Sequence, residues 1–118
     1  MQGTLHIIPP GSNTPHRIVK LTRAVTLDEL QEAVGGFAER IPNFDSIFQD
    51  GRVQLCIAFC DEDGKQKNRS ENQWANTLWM QAIVRRFGQG KAEPGDVLVG
   101  SVVLLTGDTE FLEALSKP

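Results

Sequence analysis

The pattern of apolar positions predicts several β-strands, beginning with a hairpin near the start of the chain. Residues 4–8 and 16–21 are short apolar runs around a proline-rich loop, which is typical of a β-hairpin. If the hairpin closes about Gly11, His6 and His16 lie opposite each other.

Two longer apolar segments predict further strands. Residues 52–60 alternate between large apolar residues and smaller or polar ones, which indicates one strand with a strongly apolar face. The residues of that face are Val53, Leu55, Ile57 and Phe59. Residues 97–105 are almost continuously aliphatic apart from Gly100 and Ser101, as in an interior strand with a bulge at the glycine. We therefore expect residues 97–105 to form the central strand.

A capping box marks the start of a first helix. Thr26 is followed three residues later by Glu29, while Val25 and Leu30 occupy the two positions of a hydrophobic staple. The pair Gly35-Gly36 supplies the left-handed stop expected after the last turn. The pattern predicts a short helix with one apolar face, formed by Leu27, Leu30 and Val34.

Helical spacing of apolar residues returns between residues 72 and 88. Ser70 or Asn72 can cap this second helix. Arg85 and Arg86 fall in its last turn, where cations favour the helix dipole, and Gly88 ends it. Its apolar stripe comprises Trp74, Ala75, Leu78, Trp79, Ala82 and Ile83.

A short helix near the C-terminus completes the predicted elements, with Asp108 as a cap. Its apolar anchors are Phe111, Leu112 and Leu115. Together the elements predict an α+β fold: a small mixed or antiparallel sheet of about four to five strands, two main short helices and this C-terminal helix. Because the chain has 118 residues, 40% hydrophobic and 23% charged, we expect one domain over residues 1–118.

Composition points to a soluble protein of the cytoplasm. The sequence has no apolar run long enough for a membrane span, and its first residues lack the basic and apolar regions of a secretory signal. Cys56 and Cys60 lie four apart in a predicted strand, too far apart to form a disulfide with each other. Two free thiols suit a reducing compartment.

Charge is unevenly distributed, although the net charge is only −3. Between Gly64 and Ala92, six basic residues stand against one acid, with amides and both tryptophans interleaved. Amides and guanidinium groups can bind phosphates, bases or a partner's backbone, and an exposed indole adds a stacking surface. Alternatively, Trp74 and Trp79 are core anchors and the polar residues only face solvent. The candidate binding residues are Lys67, Asn68, Arg69, Asn72, Asn76, Arg85 and Arg86.

Motifs for catalysis and for metal or phosphate binding are incomplete. Residues 88–91 suggest a phosphate loop but lack its first glycine and its Ser or Thr. Residues 61–64 resemble part of a calcium loop, yet Phe59 and Ser70 stand at its first and last ligand positions. His6 and His16 have no third ligand at metal-site spacing and no triad context. We expect no catalytic residue, no metal and no cofactor.

Several short motifs occur in a particular order along residues 4–107. They are Thr26-Leu27-Asp28-Glu29-Leu30-Gln31, Val34-Gly35-Gly36-Phe37, Asp61-Glu62-Asp63-Gly64-Lys65, Asn72-x-x-Ala75 with Leu78, and Gly95-Asp96-Val97-Leu98-Val99-Gly100 before Val102-Val103. In this order and spacing the chain resembles the phage- and mobile-element-borne family called domain of unknown function 3846. That resemblance implies a mobile-element origin and an α+β fold, and it brings no established activity or catalytic residues.

Three functions follow from these observations as hypotheses. The first is a non-enzymatic accessory protein of a phage or mobile element that acts by binding, either inhibiting a host defence protein or sequestering a nucleotide. The second is a nucleic-acid-binding module that uses the basic segment on phosphates. The third, least supported, is a cryptic enzyme. The expected assembly is a monomer or homodimer without membrane contact.

Overall fold

The computed structural model describes residues 1–11, 14–89 and 96–115, which form seven strands and three helices. In chain order these are β1 (Gly3–Ile8), β2 (Arg17–Leu21), α1 (Leu27–Val34), β3 (Ala38–Arg40), β4 (Ser46–Gln49), β5 (Arg52–Leu55), β6 (Ile57–Asp61), α2 (Gln73–Phe87), β7 (Val102–Gly107) and α3 (Thr109–Glu113). Five strands form an antiparallel sheet in the order β2-β1-β7-β6-β3, and β4 pairs with β5 in a second sheet. The predicted α+β fold is confirmed.

Strand β7 occupies the centre of the larger sheet, as the aliphatic run predicts, but it is shorter than expected. It begins at Val102 rather than Val97, because Gly100 adopts a left-handed φ of 71° that interrupts the extended backbone. The segment before the break pairs elsewhere: Val99 forms a bridge with Glu71, and the Gly100 amide donates to the Ser70 carbonyl at 2.8 Å. The first half of the predicted strand therefore contacts the residues that lead into α2.

Both faces of β7 are buried, which explains its unbroken aliphatic sequence. Val103 and Leu105 belong to one core layer, together with residues of α1 and α3. Val102 and Leu104 belong to the opposite layer, with residues of α2 and β4. All four side chains are at most 1% exposed. Because both faces of the strand are covered, its sequence does not alternate between apolar and polar residues.

The prediction of one strand over residues 52–60 is wrong. The backbone breaks at Cys56, whose amide donates to the Asp45 carbonyl at 3.0 Å, so that β5 pairs with β4 while β6 joins the larger sheet. The predicted apolar face breaks at the same point, because Val53 and Leu55 are exposed and Ile57 is buried. Cys56 and Cys60 are both free, as expected.

Helix α1 begins and ends where the sequence predicts. Thr26 accepts from the Glu29 amide at 3.1 Å, Glu29 accepts from the Thr26 amide at 3.0 Å, and Gly35 ends the helix with a left-handed φ of 80°. Leu27 is exposed, so its place on the predicted inner face is wrong. Val25, which precedes the cap, is buried in the same core layer as Leu30. It takes the place in the core that the pattern assigned to Leu27.

The other two helices also have their predicted caps. Asn72 is the N-cap of α2 and Gly88 its C-cap, while the Asp108 carboxylate caps α3 by accepting from the Phe111 amide at 2.9 Å. On α2 the buried stripe consists of Ala75, Trp79, Ala82 and Ile83. No helix within the described ranges combines the length and the apolar character that a membrane crossing requires.

Glu29 links the capping box to Arg23 and makes the stability of α1 dependent on pH. Hydrogen bonds from Arg23 and from the Thr26 amide lower the pKa of the Glu29 carboxyl to about 2. A carboxyl with a lowered folded-state pKa stabilises the fold above its unfolded pKa, and this stabilisation is lost as the pH falls through the folded value.

We therefore expect Glu29→Gln to lower the free energy of unfolding at pH 7, and the difference from wild type to shrink as the pH falls from about 4.5 to about 2. Urea denaturation across this range measures it, with Glu32→Gln, an exposed position of the same helix, as the matched control. A difference that stays constant from pH 7 to pH 2 would contradict the assignment.

Candidate functional site

Lys67 and Arg69, two of the predicted binding residues, are held by a buried carboxylate. The Asp61 side chain is completely buried, and its Oδ2 accepts from Lys67 Nζ at 2.8 Å and from Arg69 Nε at 3.0 Å. The Asp63 amide donates to its Oδ1 at 2.9 Å. Burial alone would raise the pKa of Asp61, but these hydrogen bonds and the Lys67 charge outweigh burial and hold it below its usual value.

This charged cluster of Asp61, Lys67 and Arg69 also ties the end of α1 to the turn after β6. Arg69 Nη2 donates to the Gly35 carbonyl at 2.9 Å. Glycines make the close packing possible: a Cβ at Gly100 would lie 2.7 Å from the Arg69 side chain, and one at Gly36 would lie 2.5 Å from Asp61. The cluster is therefore part of the fold.

Asn68 lies between these two cations and is exposed. Its φ of 54° is left-handed, a conformation that asparagine adopts more easily than most residues. The left-handed backbone accounts for asparagine at position 68. The placement of the Asn68 side chain does not identify a ligand.

Asn72 is 0% exposed, and both the nitrogen and the oxygen of its side-chain amide form hydrogen bonds within the chain. Its Nδ2 donates to the carbonyls of Ile8 and Gly100 at 2.8 and 2.9 Å, and its Oδ1 accepts from the Ala75 amide at 3.1 Å. Asn76 is likewise engaged, since it donates to and accepts from the backbone of Leu98 at 3.1 and 2.8 Å. Asn72 attaches α2 to β1 and to the segment before β7, and Asn76 attaches α2 to that same segment.

Arg85 and Arg86 contact the start of β4 from the far end of α2. Arg85 donates to the hydroxyl and carbonyl of Ser46 at 2.9 and 2.8 Å, and Arg86 pairs with Asp45 at 2.7 Å. Lys65 pairs with Asp96. Lys91, the last cation of the basic segment, lies outside the described residues.

The predicted binding residues therefore do not converge. The structure places them in three groups, around Asp61, at the start of α2 and at its end, and most of their polar atoms have partners within the chain. Charges that are already paired offer little to a phosphate, because binding it would break an existing contact.

A second candidate binding surface, apart from most of the predicted binding residues, lies beside Trp74 at the start of α2. The indole is 57% exposed, whereas Trp79 is 4% exposed and donates to the Pro42 carbonyl at 2.8 Å. Trp74 faces the His16 ring, with centroids 6.1 Å apart. Between them lies a cavity of about 490 Å³. It is lined by Gly11, His16, Ser70, Glu71, Asn72, Gln73 and Trp74. We call this the Trp74 cavity.

His6 extends the same surface. In the β1–β2 ladder it stands opposite Ile18, not His16, yet its Nε2 lies 3.3 Å from His16 Nδ1 and the ring centroids are 5.3 Å apart. The two histidines are therefore not paired across the hairpin as expected, although their rings are in contact. Burial, and secondarily His16, lowers the pKa of His6, which favours the neutral ring.

Sequence reasoning left open whether Trp74 and Trp79 are core or exposed, and Ser70, Glu71 and Gln73 were not among the candidate binding residues. One signal could have separated the tryptophans. Ala75, Trp79, Ala82 and Ile83 follow the spacing i, i+4, i+7, i+8, which already makes a complete apolar face. Trp74 is an additional aromatic residue beside that face.

The two cysteines are poor candidates for a nucleophile. Burial raises the pKa of the Cys56 thiol to about 12 and that of Cys60 to about 11, so both are weak nucleophiles at neutral pH. Among the described residues, no group of three or more His, Cys, Asp or Glu side chains lies close enough to hold a metal ion.

Comparison with family models, curated proteins and solved structures finds no match to this chain. The resemblance to domain of unknown function 3846 therefore stays a prediction, and function has to be argued from the site itself.

We expect Asn72→Ala to be among the most destabilising single substitutions in α2. It removes a helix cap and leaves the buried carbonyls of Ile8 and Gly100 without their donor, at a combined cost of about 3 kcal/mol. Urea denaturation measures the loss, and Gln73→Ala, an exposed amide at the next position, is the matched control. A loss below about 1 kcal/mol would show that the amide is not structural.

The two tryptophans should differ sharply in acrylamide quenching. Trp74→Phe should abolish most of the readily quenched emission, because the exposed indole is removed, while Trp79→Phe should leave it in place. Stern–Volmer plots of wild type and both variants measure this. Similar quenching of the two variants would mean that Trp74 is covered in solution.

Proposed function

We propose that this protein acts by binding rather than by catalysis, as an accessory protein of a phage or other mobile element, and that the Trp74 cavity is its recognition site. The observation that carries the proposal is the exposed indole of Trp74 at the edge of a cavity, facing His16. The exposed indole offers a flat apolar face on which a bound ring can stack.

The size of the cavity favours a small ligand. About 490 Å³ lies within the usual range for small-molecule sites. The indole can stack on a flat ring, and the polar side chains of Ser70, Glu71 and Gln73 offer donors and acceptors for its edge. Sequestration of a nucleotide fits this chemistry better than inhibition of a host protein across a broad face.

The surroundings also accommodate a phosphate. The cavity lies at the N-terminal end of α2, where the helix dipole is positive, and the first turn of α2 carries no acidic residue. Glu71, just before the cap, is better suited to accept from amino and imino groups of a base. We therefore expect the base near Trp74 and the phosphate near the helix end.

Binding of a nucleic acid through the basic segment has less support. Lys65, Lys67, Arg69, Arg85 and Arg86 all have partners within the chain. The proposal of a mobile-element origin rests on the order of the short motifs, in which the chain resembles domain of unknown function 3846.

Calorimetric titration with nucleoside mono- and triphosphates in the presence of EDTA tests the proposal. We expect at least one nucleotide to bind wild type, and Trp74→Ala to weaken its affinity by roughly tenfold or more, the usual loss when a stacking ring is removed. Phe37→Ala is the matched control, because Phe37 is an equally exposed aromatic residue outside the cavity. It should bind as wild type does.

Two results would overturn this function. Absence of binding by every nucleotide at millimolar concentration would exclude nucleotide sequestration. Equal weakening by Trp74→Ala and Phe37→Ala would move the site away from the cavity. Salt-dependent binding of an oligonucleotide that is unaffected by Trp74→Ala would instead favour the nucleic-acid hypothesis.

A further inference from the structure

The His6 and His16 rings lie close together, and His16 lines the Trp74 cavity. His6 Nε2 and His16 Nδ1 are 3.3 Å apart, a distance at which the two rings can share a hydrogen bond. Two nitrogens bound to one tetrahedral ion at about 2.0–2.1 Å are separated by about 3.3–3.4 Å. The observed separation therefore also suits two ligands of a single metal ion.

From this geometry we infer that His6 and His16 form a two-ligand site for a divalent transition-metal ion. The two ring nitrogens are close enough to share one ion, and solvent can reach them because His16 is exposed. Water completes the coordination. Imidazole pairs select Cu²⁺, Ni²⁺ and Zn²⁺ over Mg²⁺ and Ca²⁺, which prefer oxygen ligands.

The site is anchored on both sides. His6 belongs to β1, which is paired with β2 on one edge and β7 on the other, so its backbone is fixed. His16 directly precedes β2, and its ring packs against Trp74. Fixing the two histidines around an ion therefore costs little conformational entropy, which favours binding by only two protein ligands.

A bound ion would join the end of β1 to the start of β2. Because it binds the folded chain, it should raise the melting temperature, by about 10 °C at a hundred times the dissociation constant. It would also lie beside the Trp74 indole, because His16 is one of its ligands. Cu²⁺ and Ni²⁺ should therefore quench Trp74 emission, whereas Zn²⁺ should stabilise without strong quenching.

The test is titration of the untagged full chain with CuCl₂, NiCl₂, ZnCl₂ and MgCl₂, followed by melting temperature and tryptophan emission. We expect Cu²⁺ to act at the lowest concentration and Mg²⁺ to have no effect. His6→Gln and His16→Gln should each abolish stabilisation and quenching, with far-ultraviolet circular dichroism confirming that the variants fold. Cys56→Ala should respond as wild type does, because this thiol is buried and protonated.

Three outcomes would overturn the site. Absence of both stabilisation and quenching in wild type with every transition metal would leave a simple contact between the histidines. Alternatively, His6→Gln and His16→Gln could respond like wild type, which would place the ion elsewhere. Equal stabilisation by Mg²⁺ would indicate a nonspecific salt effect. Nucleotide binding is measured in EDTA, so the two proposals fail independently.

Discussion

The side-chain amide of Asn72 is the interaction on which the arrangement of this fold most depends. It joins three parts of the chain, since it caps α2, binds the last residue of β1 and binds the bend before β7. No other residue type of this size offers two donors and one acceptor in that geometry. The position of Trp74 follows from this anchor, because the indole projects from the second residue after it.

A second constraint, the charged cluster around Asp61, fixes the other end of the same segment. Asp61 is buried and accepts from two partly exposed cations, so its removal would leave Lys67 and Arg69 without their shared carboxylate. Between this cluster and the Asn72 anchor, Ser70 and Glu71 have little freedom, and both line the Trp74 cavity. The cavity is thus formed by a segment that is secured at both ends, a suitable basis for a preorganised site.

Local signals were readable from sequence, and contacts between distant residues were not. The capping box at Thr26 and the caps at Asn72 and Asp108 depend on neighbours within three residues, and the structure has all of them. The break at Cys56 depends on the Asp45 carbonyl, and no periodicity reveals it. The candidate cations were chosen as free charges, whereas Arg85 and Arg86 find partners about forty residues away. Exposure of Trp74 was one of two alternatives left open.

The position of β1 between β2 and β7 has a consequence for synthesis on the ribosome. β1 comprises Gly3–Ile8 and its central neighbour β7 comprises Val102–Gly107, so nearly the whole chain must be made before the two strands can pair. Until then Leu5 and Ile8, which end up in opposite core layers, have no central strand to cover them. Pairing over such a sequence distance is slow. Until β7 has been made, the nascent hairpin therefore exposes apolar side chains that the finished fold buries.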